Sequence, residues 1–349
     1  MIRKLLLLLQ GAVVLAALLI GWAFWSQQQA LQQTLNLEQE RLLEVPAGSS
    51  PSLMLNRLEQ DGVLSGALWL RLYWRFNLKQ PLHSGEYRLQ PGMRAEELLG
   101  LWQRGDVVQY SITLVEGWNF RQVRAHLAAQ ERLQQTLTAL SDAEIIAKLG
   151  QPGMHPEGRF FPDTYRYIRG MRDIDLLRQA LQRQEQVLAE EWGKRADNLP
   201  YREPYQALIM ASLVEKETGV ASERSQIAGV FVRRLRLGML LQTDPTVIYG
   251  LGERYQGNLT RAHLRQPTPY NTYVIKGLPP TPIALVGREA IHAALHPADG
   301  QSLYFVARGD GSHVFSDSLA AHNRAVREYQ LQRRADYRSS PAPAQKDTP

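Results

Sequence analysis

Glu215 and Glu217 stand at the end of a stretch, 207–214, that carries no charge. A helix that is apolar nearly all round is a buried helix. Carboxylates at the end of such a helix are costly unless something uses them. The chemistry that a partly desolvated carboxyl offers is proton transfer near neutral pH. The two acids do not form a clamp, because residues two apart on a helix point roughly 200° away from each other. The apolar pattern does not choose between them; position favours Glu217. Gly219 is a natural C′ residue, which places Glu217 in the last helical turn. There the negative end of the helix dipole disfavours a carboxylate and, with partial burial, raises its pKa. The competing reading is that both glutamates make structural ion pairs with neighbours such as Arg224 or Arg233.

The segments that follow extend the candidate site. Ser222 is placed to N-cap a helix over 223–237, which Gly238 ends. Asp244 before Pro245 reads as an N-cap and N1 pair opening a short helix that stops at Gly250. Asp244 therefore has a structural explanation, whereas Gln242 and Thr243, just after apolar Met239, Leu240 and Leu241, have less of one. The stretch 267–282 is rich in proline and aromatics and contains Asn271, Thr272, Tyr273 and Lys276. An irregular loop directly after a candidate site often forms a cleft wall. Gln242, Thr243, Asn271 and Tyr273 are the expected ligand contacts.

The strings EKETGVASER (215–224), RLRLGMLLQTDPTVIYGLG (234–252) and PTPYNTYVIKGLPPTPI (267–283) resemble the endolytic murein transglycosylases, the YceG-like family. The likeness extends over the whole chain and is densest over 207–282. In that family the second glutamate of the E-K-E-T motif is the catalytic acid, which here is Glu217. The resemblance implies a membrane-anchored lytic transglycosylase acting on peptidoglycan glycan strands, with Glu215, Gln242, Thr243, Asp244, Asn271, Thr272, Tyr273 and Asp163 as substrate-binding candidates. Most glycoside hydrolases need two carboxylates across the bond. One suffices when the substrate supplies its own nucleophile, here the C6 hydroxyl of muramic acid, leaving a 1,6-anhydro end. The implied partners are nascent glycan strands, the inner membrane and peptidoglycan synthases, with no nucleic acid, no metal and no cofactor. Two other readings stay open: a non-enzymatic glycan-binding scaffold, and a hydrolase in which Asp244 is a second carboxylate.

The remaining chain supplies the support. Its 349 residues are 44% hydrophobic and 21% charged, ordinary for a globular protein of one or two domains. The net charge of +6 is too mild to argue for nucleic acid and suits work near anionic lipid or an anionic polymer. No cysteine is present, which excludes disulfides, a thiol nucleophile and Cys-type zinc sites. Residues 5–25 form an apolar run long enough to span a bilayer, preceded by Arg3 and Lys4. The positive-inside rule puts the N-terminus in the cytoplasm and the catalytic part outside, in the periplasm. A cleaved signal peptide is the alternative; the closing Trp22, Phe24 and Trp25 fit an interfacial aromatic belt better.

Residues 26–41 read as a helical continuation or stalk. Over 42–130 a weak repeat appears, in which a short strand, a turn glycine (Gly48, Gly92, Gly117) and an amphipathic helix recur. Its second unit, GEYRLQPGMRAEELL, resembles a LysM-like module, with glycan binding or plain α+β packing as the two readings. Trp69, Tyr73, Trp74 and Phe76 have the spacing of core packing. A helix is expected over 137–149, at least from Ser141, and a long one over 173–195. Between them EGRFFPDTYRY (157–167) either lines a sugar cleft with its aromatics, Asp163 and Thr164, or is a buried turn capped by Asp163. Toward the C-terminus, a helix over 290–295, a hairpin of 302–307 with 313–315 and a helix from Ser318 to roughly Arg334 are expected. His292 and His296 lack the glutamate of an H-E-x-x-H arrangement. The expected fold class is α+β: a cytoplasmic N-terminus (1–4), a transmembrane helix (5–25), a stalk (26–41), a LysM-like subdomain (42–130), a mixed α/β catalytic domain (131–336) and a disordered tail (337–349).

Overall fold

The computed structural model describes residues 2–331; the expected tail over 337–349 lies outside them. The chain divides into two compact units. The first is built from the chain up to Ser111 with the short segments Glu131–Gln134 and Arg166–Met171. The second holds Ile112–Gln130, Gln135–Tyr165 and the chain from Arg172 onward.

The first unit begins with helix α1, Ile2–Gln32, which is long and apolar enough to cross a membrane. Then come strand β1 (Arg41–Val45), helix α2 (Pro51–Gln60), helix α3 (Ala67–Tyr73) running into a π turn at Trp74–Leu78, strand β2 (Gly85–Leu89) and helix α4 (Ala95–Arg104). β1 and β2 pair antiparallel, with Leu43 opposite Tyr87. Alternate residues of β1 face inward, and α4 lays Leu98, Leu99 and Trp102 on the same core. α2 starts where it does because Ser50 accepts a bond from the Leu53 amide at 3.2 Å and Pro51 fills the first turn. The stretch expected as a stalk does not stand free. Ala30, Leu31 and Leu35 are buried in this core, and residues 2–21 of α1 are exposed.

The expected subdomain 42–130 is also corrected, since 112–130 belongs to the second unit. Strand β3 (Tyr110–Thr113) leads into helix α5 (Phe120–Ala128) through Gly117, whose amide donates to Leu285 O at 2.9 Å. The two return segments join the first unit for an electrostatic reason. Glu86, buried in β2, accepts from Arg169 Nε at 2.7 Å and Tyr110 Oη, with Arg132 at 3.8 Å.

The second unit continues with α6 (Asp142–Lys148), β4 (Thr164–Tyr167), α7 (Asp173–Trp192), α8 (Pro204–Glu217), α9 (Arg224–Arg236), α10 (Asp244–Leu251), α11 (Arg261–Arg265), α12 (Arg288–Leu295), β5 (Tyr304–Ala307), β6 (His313–Ser316) and α13 (Leu319–Val326). β3 pairs with β4, and β5 with β6 in an antiparallel hairpin. Among the described residues the sheets are three separate two-stranded pairs, so this unit is largely helical rather than built on a central α/β sheet.

α8 is the axis of the second core. Ala207–Val214 are all buried, and the helix packs chiefly on α12, with α9 and α7 beside it. Pro204 opens it, where a missing N–H costs nothing. Thr218 ends it in extended conformation. Ser212 ties it across the core: its hydroxyl donates to Ile209 O at 2.7 Å and accepts from the Ile283 amide at 3.0 Å.

Candidate functional site

The last turn of α8 sends its two acids to different places. Glu217 Oε1 accepts from the hydroxyl of Thr243, the residue before α10. Its side chain keeps some surface, yet protein atoms surround the carboxyl closely. Burial, with the Asp244 carboxylate adding to it, pushes its pKa up to about 7, against the Thr243 bond that favours the charged form. Glu215 faces the other way and accepts from the Gly287 amide at 3.2 Å. Burial and the neighbouring Glu116 raise its pKa as well. Among the described residues neither acid has an ion-pair partner; Arg233 instead donates to Ser302 O and Ala298 O. The ion-pair reading finds no support at Glu217, while at Glu215 the Arg224 charge still acts to lower the pKa.

Thr243 is held by a buried threonine net. Its amide donates to Thr272 Oγ1 at 3.0 Å, and Thr272 Oγ1 lies 2.8 Å from Thr246 Oγ1. Gln242 precedes it with φ +54°, a left-handed conformation that non-glycine residues adopt at a cost of order 1–3 kcal/mol. The Gln242 amide donates to Thr272 O at 3.1 Å, which holds it there. Arg234, in α9, supports the same loop from beneath, donating to Leu240 O at 3.1 Å and Leu241 O at 2.8 Å. Tyr273 Oη donates to Asp244 Oδ1 at 2.6 Å, so the 267–282 loop and the start of α10 meet beside Glu217. Burial, then the Asp244 bond, raise the Tyr273 pKa.

This geometry corrects several expectations. Asp244 does not cap α10; Thr243 occupies the cap position, and the Asp244 carboxylate is exposed toward Tyr273. Ser222 lies in a 3₁₀ turn rather than capping α9. Asn271 and Thr272 are completely buried, and Thr243 nearly so. Asn271 Nδ2 donates to the carbonyls of His263, Leu264 and Gln266, at 3.2, 3.2 and 2.7 Å, while its Oδ1 accepts from the Tyr273 amide. These residues shape the loop, while Gln242 and Asp244 are exposed and Tyr273 is half-buried. Asp163 sits apart at the start of β4, accepting from the Thr164 amide at 2.7 Å. The neighbouring Phe160 and Phe161 are buried, with Phe160 stacked on Phe120 at 5.1 Å, so they line no cleft.

Glu157 is a residue the sequence did not single out. It is buried, accepts from the Phe120 amide at 3.0 and 3.2 Å and from Tyr249 Oη at 3.0 Å, and burial pushes its pKa up to about 7. Its bond to Tyr249 anchors the far end of α10, the helix whose first residue is Asp244.

The sequence profile of the YceG-like family matches residues 43–328. The chain belongs to that family. A relative from Bacillus subtilis, named endolytic murein transglycosylase, is 29% identical over 330 residues, covering 89% of this chain and 91% of its own. A Streptococcus pneumoniae protein of the same name is 27% identical over 356 residues, and this chain spans 64% of its length. The crystal structure of a YceG-like protein from Listeria monocytogenes superposes with a TM-score of 0.55 at 30% identity, covering 82% of this chain and 99% of that one.

Proposed function

We propose that this YceG-like protein is a membrane-anchored endolytic lytic transglycosylase and that Glu217 is its single acid and base. The observation that carries the reading is the Glu217 carboxyl itself: closely surrounded, held by Thr243, and about half protonated near neutral pH. Such a group can donate and accept in one cycle. Glu217 gives its proton to the glycosidic oxygen as the C1–O bond of the muramic acid unit breaks. The resulting carboxylate takes the proton of the C6 hydroxyl as O6 bonds to C1. Glu217 ends protonated as it began, and the product carries a 1,6-anhydro end. Gln242, Asp244 and Tyr273 are the polar surface beside the acid and the proposed sugar contacts. The names of the bacterial relatives support this substrate class.

The finer features belong to the same proposal. α1 anchors the protein in the inner membrane with Arg3 and Lys4 in the cytoplasm and the catalytic unit in the periplasm. The β1–α2–α3–β2 order with its antiparallel strand pair supports a LysM-like glycan-binding role for the first unit. Cutting nascent strands beside peptidoglycan synthases would end their elongation. A reporter fused after Pro349 is expected to be active only outside the cytoplasm, with Met1 retained on the purified protein. A mature chain starting near Ser26 would contradict the anchor.

On isolated glycan strands the protein is expected to shorten the strands without releasing new reducing ends. A rise in reducing ends that matches the loss of length would contradict transglycosylation. Thr243→Val removes the hydroxyl that stabilises the Glu217 carboxylate while keeping the shape. The descending limb of the pH–rate profile is expected to move upward by about one pH unit, because the lost bond favoured the charged form. An unmoved or downward-shifted limb would show that this bond does not tune the acid.

A further inference from the structure

α3 and the π turn after it pack beside the emerging end of α1. The Trp22 and Trp69 rings meet edge to face with centroids 5.6 Å apart. A Cβ on Gly66 would lie 3.6 Å from that of Ala30. Trp22 lies within the apolar run, three residues before its end at Trp25, or about 4–5 Å along the helix. Whatever touches Trp22 therefore lies at the level of the bilayer surface once α1 spans it. The segment so placed has the composition of an interfacial helix. Leu68 is 53% and Phe76 65% exposed, although both are large and apolar. From Gly62 to Gly85 the sequence has no acidic residue, while it has Arg71, Arg75 and Lys79. None of these three cations makes a salt bridge among the described residues, and Arg71 Nε is buried without a hydrogen-bond partner.

We propose that α3 and the π turn are a second membrane contact, in which Trp69, Leu68 and Phe76 enter the headgroup boundary of an anionic bilayer and Arg71, Arg75 and Lys79 meet its phosphates. The proposal rests on the reading of α1 as an uncleaved anchor. Its consequence is that the first unit is held against the bilayer rather than swinging from a single point.

The absence of cysteine makes the test direct. Full-length Phe76→Cys and Leu15→Cys variants, each carrying an environment-sensitive fluorophore, are reconstituted in vesicles containing phosphatidylglycerol. The label at position 76 is expected to emit to the blue of its aqueous value and to lose most of its emission to a nitroxide on the lipid headgroup. Adding Arg75→Glu and Lys79→Glu is expected to reverse much of that loss. Aqueous emission at 76, insensitive to the headgroup nitroxide while the label at 15 is quenched by chain nitroxides, would overturn the proposal with the anchor intact. Quenching at 76 that the charge reversals leave unchanged would overturn the phosphate contact. A label at 15 that chain nitroxides do not reach would instead defeat the anchor reading, and this inference with it.

Discussion

Glu217→Gln is expected to lower turnover on glycan strands by a factor on the order of 10² to 10⁴, because it removes the one group that gives and takes protons in the proposed cycle. Glu215→Gln is expected to do much less, since that side chain accepts from the Gly287 amide on the opposite side of α8. If Glu215→Gln were the inactive variant, the acid would have been placed on the wrong face of the helix. Stability separates loss of chemistry from loss of fold. The Glu217 pKa is about 7 in the folded protein, against 4.5 for an ordinary glutamate. A raised folded pKa gives a stability contribution that is fully present below 4.5 and lost as pH rises through about 7. Glu217→Gln is therefore expected to melt at least as high as the parent above pH 7, with its relative advantage shrinking toward pH 4.5. A variant that melts well below the parent at alkaline pH would contradict the burial argument.

Asn271→Ala is expected to destabilise the protein by about 2–4 kcal/mol, read from denaturant unfolding. The side-chain amide satisfies three backbone carbonyls of the 263–266 segment, and its carbonyl holds the Tyr273 amide, all within a fully buried position. Alanine leaves those groups without partners and the loop beside Glu217 without its pin. Gln242→Ala is the contrasting variant. Gln242 is exposed, so its loss is expected to weaken turnover while leaving stability within about 0.5 kcal/mol of the parent. If Asn271→Ala were equally neutral for stability, its bonds would be dispensable and a direct role toward substrate would return.

This contrast marks where the sequence was legible. Many periodic and local signals read correctly, although the caps expected at Ser222 and Asp244 did not. The three strand–glycine–helix units appear as β1 with α2, β2 with α4 and β3 with α5, and their turn glycines have φ of +81°, +84° and +76°. Ser141 caps α6 and Thr260 caps α11, each within a capping box spanning three residues. The charge-free run before Glu215 is the buried core of α8. Pairings across long separations were not legible, because a single polar residue carries no period. Thr272 looked like a surface polar group in an irregular loop, yet it closes a net with Thr243, 29 positions away. Glu157 meets Tyr249 across 92 positions. The boundary between the units was misplaced for the same reason: Arg132 and Arg169 return to Glu86 from beyond the segment that repetition had marked out.

In the proposed cycle Glu217 works without a water nucleophile. The direct measurement is mass analysis of the cut ends after the reaction is run in ¹⁸O-labelled water. The proposed cycle gives 1,6-anhydromuramic ends with no incorporated label. Label in the product would contradict it, since water would then be the nucleophile, a second carboxylate would be required, and Asp244, beside Glu217 and bonded by Tyr273, would be the residue to replace.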